Sequence, residues 1–150
     1  MSDRIIRLGG SNIGDSHSVN NLKNYINPVN DRNFIVFSAV PEIFALINSS
    51  INDIFKNVNT ENIRLRLNQV FSEKTGSPPT KGYNRLVEQY TGIVNGISLI
   101  GDYSAALKDQ VLSFSEKLSA EIIFTQWKEK NGTVQILWPE EFHLKVTPDF

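Results

Sequence analysis

A chain of 150 residues with 40% hydrophobic content suits one globular domain, because a chain of this length buries roughly 70% of the surface it exposes when unfolded. It contains no cysteine, which excludes disulfide frameworks, thiolate metal sites and cysteine nucleophiles. Basic and acidic residues nearly cancel to a net charge of -1, without the clustered positive surface that nucleic acid requires; no apolar window reaches the roughly 20 residues of a membrane span or forms a signal peptide, so a cytoplasmic protein with no nucleic-acid or membrane partner is expected.

The first element is a short apolar run from Arg4 to Leu8 that stops at Gly9 and Gly10, as a buried strand stops at a turn. Asp15 to Ile26 carries Val19, Leu22 and Ile26 at helical spacing, with Asp15 or Ser16 available as a cap. Asn33 to Phe37 reads as a second buried strand. Pro41 then suits the first turn of a helix whose apolar face is Ile43, Leu46, Ile47, Ile51, Ile54 and Phe55. This βαβα opening predicts an α/β domain with a mostly parallel sheet in which Ile5, Ile6, Ile35 and Val36 lie on central strands.

Further along, Thr60 to Lys74 is a helix that breaks at Gly76, Ser77, Pro78 and Pro79. Tyr83 to Leu99 and Ser104 to Lys130 read as two longer helices with a short connection near Gly101 and Asp102, hence an antiparallel pair. Asn131 and Gly132 close the second of them. Thr133 to Leu137 alternates like a strand, and His143 to Val146 reads as another. No internal repeat or low-complexity linker divides the chain, so residues 1–150 are taken as a single domain.

Two places can carry chemistry. Glycines in the Gly9 to Ser11 turn let backbone N–H groups approach a phosphate at a helix N-terminus, although a glycine pair after a strand also serves as a plain turn. The turn is neither a Walker loop, which needs a Lys-Ser/Thr pair, nor a dinucleotide fingerprint, since Gly14 falls one residue out of place. Glu116, in the run Leu112 to Ala120, is the second, although composition alone favours reading it as part of a solvated face, with Phe114, Leu118 and Ile122 towards the core. His17 and His143 are isolated, without a partner at metal or dyad spacing.

Taken in order, these pieces resemble a known family. Arg7-Leu8-Gly9-Gly10-Ser11-Asn12 resembles the Lys-Phe-Gly-Gly-Thr-Ser that opens aspartokinases, and Phe37-Ser38-Ala39 resembles the Leu-Ser-Ala at the end of their second strand. Gly96-Ile97-Ser98-Leu99, followed by Val111 to Ser119, is similar to their central helices with the signature Ser-Phe-Gly-Glu-Lys/Arg-Leu-Ser. Thr147, Asp149 and Phe150 are similar to the start of their Thr-Asp-x-x-Phe-Gly loop.

The resemblance implies the N-terminal lobe of an amino acid kinase fold, a three-layer αβα sandwich, and an activity that moves the γ-phosphoryl of ATP to the β-carboxylate of aspartate, the first step towards lysine, threonine and methionine. It implies that Arg7, Gly9 and Gly10 would meet the phosphoryl group and that Ser11 and Ser38 would line the substrate site. Glu116 would hold the ammonium of aspartate or a similar amino acid, and Phe150 would cover it. Magnesium would arrive with ATP; no protein-held metal or firm cofactor is implied. Such a division suits phosphoryl transfer, which is mostly positioning and charge neutralisation.

The sequence also departs from the family. Arg7 replaces a lysine, Phe44 and Ala45 a Thr-Asn pair, Ser115 a glycine and Trp138 an aspartate. The aromatic bulk of Phe44 or Trp138 is expected to take the volume of the amino acid, since a large ring gains about 3 kcal/mol on burial. If the site is retained, Glu116 is expected to face the Gly9-Gly10 turn with Arg7 nearby. The 150 residues reach only to the substrate loop, so the chain by itself is expected to be inactive. It would be a fragment of a kinase, one subunit paired with a separate nucleotide-binding half, a homodimer, or a non-catalytic binding or regulatory relative.

Overall fold

The computed structural model describes residues 2–9, 21, 31–54, 58–128 and 134–142. Two strands, β1 (Ser2–Leu8) and β2 (Asp31–Phe37), pair in parallel with Ile6 opposite Ile35 and Leu8 opposite Phe37. Four helices follow: α1 (Pro41–Asn52), α2 (Thr60–Thr75), α3 (Lys81–Ile100) and α4 (Ala105–Lys128). A short 3-10 helix at Pro139–Phe142 is the last described element. The chain is therefore α/β, with a small parallel sheet and a large helical layer.

The helix ends are written in local chemistry. Asn59 caps α2 by accepting from the Asn62 amide at 3.0 Å, and Gly76 ends it in the left-handed region at φ 72°. Thr80 caps α3 in the same way through the Tyr83 amide at 3.1 Å, which moves the start of this helix ahead of Tyr83. Gly101, at φ 77°, closes α3. Such caps satisfy donors and acceptors that a helix leaves unpaired, and a left-handed terminal residue costs glycine little.

Helix α4 is the element around which the others assemble. It buries Val111, Phe114, Leu118 and Ile122 together with Ser115 and Ser119, and it packs against α1, α2 and α3. A helix buried on most of its circumference has no clean polar face, which is why its apolar pattern is diffuse in sequence. Its antiparallel partner α3 meets it along the length, with Tyr90 and Phe114 at 5.9 Å between ring centroids and Thr80 reaching Glu121. The two buried tyrosines keep their polar tips satisfied: Tyr83 donates to the Leu67 carbonyl at 2.7 Å, and the Tyr90 hydroxyl meets that of Ser50. Burial pushes both phenols up from their ordinary range, so both stay neutral donors at any ordinary pH.

Among the described residues the sheet packs on the C-terminal end of α4. Leu8, Ile35 and Phe37 on one face pack with Ile123, Trp127 and Val134. Alternation along a strand sends the intervening residues to the other face, and there Ile5 is 79% exposed and Val36 is also exposed, with Arg7 opposite Val36 in register. Ile5 and Val36 are thus not interior residues of central strands: within the described sheet each strand has one neighbour and one covered face.

Other expectations differ in detail. Val134 to Trp138 keeps a strand-like alternation, with Val134, Ile136 and Trp138 half-buried, but forms no ladder and so no strand. The expected helix over Asp15 to Ile26, the strand over His143 to Val146, Phe55, and the end of α4 at Asn131 and Gly132 fall outside the described residues, Asn21 alone excepted. Among the described residues no helix is long and apolar enough to cross a membrane.

A hydrogen bond ties the entry of α1 to α4. Pro41 at the first turn of α1 has no N–H and Val40 has no capping side chain, yet the Val40 amide, fully buried, donates to Ser119 Oγ at 2.8 Å. Replacing this hydroxyl leaves a buried N–H unpaired, which costs about 1–3 kcal/mol. Ser119→Ala is accordingly expected to lower the unfolding free energy by an amount in that range, seen as a lower urea midpoint with an unchanged slope, and to speed hydrogen exchange at the Val40 amide; an unchanged midpoint would show that the bond contributes nothing.

Candidate functional site

Parallel sheets present ligands at the carboxyl ends of their strands, where turns carry small residues and the following helices point their N-termini. Here that end holds Gly9 after β1 and Ser38 after β2, both exposed. The two turns are tied together, since the Ser38 amide donates to the Leu8 carbonyl at 3.2 Å. Two residues beyond Ser38, the Val40 amide is held by Ser119 of α4, and Pro41 begins α1.

From Ser119 the hydrogen bonds continue up α4. Ser119 donates to the Ser115 carbonyl at 2.6 Å. Ser115, fully buried, shares its hydroxyl proton between the Leu112 carbonyl at 2.7 Å and the Glu116 carboxylate at 3.0 Å. Glu116 itself is exposed. The strand-end turns and the Glu116 turn of α4 are thereby connected through Ser38, Val40, Ser119 and Ser115. Lys117, next to Glu116, forms a short ion pair with Glu140 and lies 5.6 Å from the Phe114 ring centroid.

Of the residues singled out in the sequence, Gly9, Ser38 and Glu116 thus sit on one bonded framework. Arg7 does not join them: it is exposed on the sheet face opposite α4. Gly10, Ser11, His17, His143 and Phe150 lie outside the described residues. Phe44 does not fill an apolar gap, being 45% exposed on α1, because the core-facing positions of that helix are taken by Ile43 and Ile47. Trp138 is half-buried.

Two features escaped sequence reading. Ser115 and Ser119 look like a polar face but are buried, and the signal that could have found them is their spacing of four in a helix otherwise apolar on that side. Glu121 is the second. It is half-buried against the first turn of α3, where Thr80 donates to its carboxylate at 3.2 Å, and a Cβ on Gly82 would lie 2.5 Å from Oε1. A glycine here leaves room for the carboxylate to sit against the helix N-terminus.

Among the described residues no three His, Cys, Asp or Glu side chains converge as a metal ion would require, so no step is routed through one. What the described residues place here is an exposed Glu116 carboxylate on α4 and an exposed Ser38 three residues before the start of α1. No protein-family model matches the chain, and no curated protein matches it.

The partly buried charge of Glu121 sets a pH dependence. Burial raises its carboxyl above the ordinary 4.5, opposed by the Thr80 hydrogen bond and by Lys128. A carboxyl raised on folding adds stability below its unfolded value, and that contribution is lost as pH rises through the folded value. Glu42 and Glu140 run the other way, held low mainly by hydrogen bonds from Lys74 and Lys117, so their contributions appear as pH rises. Glu121→Gln removes only the first dependence. Its stability relative to the unmodified chain is expected to be greater at about pH 7 than at about pH 4; denaturant melts giving the same difference at both would contradict a buried charge at this position.

Proposed function

We propose that this chain is an aspartokinase-like lobe that binds the amino acid substrate, with the three-layer αβα sandwich of amino acid kinases as its complete fold. The observation that supports this most is the bonded framework from Gly9 through Ser38, Val40, Ser119 and Ser115 to Glu116, because it links the same three segments by which the sequence resembles the family. In this reading Glu116 takes the ammonium of aspartate, kept in place by the Ser115 hydroxyl. Ser38 and the Gly9 turn meet the carboxylate that receives the phosphoryl group.

The family reaction would use ATP with its magnesium, and the nucleotide would be held by a second half in the same or another polypeptide. Within these 150 residues no glycine-rich nucleotide loop follows the first turn. The placement of Arg7 on the face opposite α4 favours a second reading, a relative that binds an amino acid without phosphorylating it, since the cation expected beside the phosphoryl group is directed elsewhere.

Calorimetry with L-aspartate is the direct test. Binding at a Kd of about 1 mM or tighter, roughly 4 kcal/mol of affinity, that disappears in Glu116→Ala is the expected outcome. Affinity unchanged by Glu116→Ala, or no binding at all, would refute the amino-acid site. With ATP, magnesium and hydroxylamine added, the chain alone is expected to form no aspartyl hydroxamate above background; turnover would show that these residues hold the nucleotide after all.

A further inference from the structure

We draw no further inference here: the strongest candidate, the outer face of the two-stranded sheet, where Ile5, Phe34 and Val36 are exposed beside Arg7, carries nothing because nothing among the described residues shows what covers it.

Discussion

The burial of α4 is the constraint on which the other elements depend. Its side chains Val111, Phe114, Leu118 and Ile122 are shared with α1, α2 and α3, while Ile123 and Trp127 near its end support the strands. A helix in that position has little freedom to turn or slide, since interiors are close-packed and a displaced side chain finds no empty space. The two serines on its buried side convert this rigidity into position. Ser119 holds the entry to α1 through the Val40 amide, and Ser115 holds the carboxylate of Glu116. Small hydroxyls are suited to such a place because they let α1 come close while leaving no polar atom unpaired.

From this arrangement the candidate site acquires its character. Its polar groups stand on a helix and on strand ends rather than on long loops, and are therefore held in place by the packing of those elements. The exposed side is more adaptable. There the ion pair between Lys117 and Glu140 links α4 to the segment that carries Trp138.

How far this was legible in the sequence follows from the physics of each element. Helices α1 to α3 were readable because their apolar residues recur at helical spacing and because Pro41 starts α1 while Gly76 and Gly101 end α2 and α3, each a local signal independent of tertiary context. The strands were readable as runs but not as faces, since Ile5-Ile6 and Phe34-Ile35-Val36-Phe37 lack the polar alternation that would reveal which side meets solvent. Arg7 shows the same limit: its separation from α4 follows from Leu8 facing α4, a period-two consequence visible only once that neighbour is known. Ser115, Ser119 and Glu121 were hidden because burial of a polar group depends on a partner distant in sequence, such as Val40 or Thr80. Trp138 and the residues before it carry a strand's alternation without a strand, because alternation reports which side is covered and not whether a ladder partner is present.

The one-sided support of the sheet has a consequence for how the molecule comes apart. β1 and β2 pair residues far apart in sequence and, among the described residues, rest on α4 through Leu8, Ile35 and Phe37, whereas α3 and α4 are neighbours along the chain with a core of their own. Contacts between distant segments are slower to form, and regions with fewer buried apolar contacts open at lower free energy. Among the described residues the strand pair is held by fewer buried apolar contacts than the helices are, and it is expected to open at lower free energy than they do. Its departure would take Gly9 and Ser38 away from α4 while the side chains shared by the four helices stayed packed.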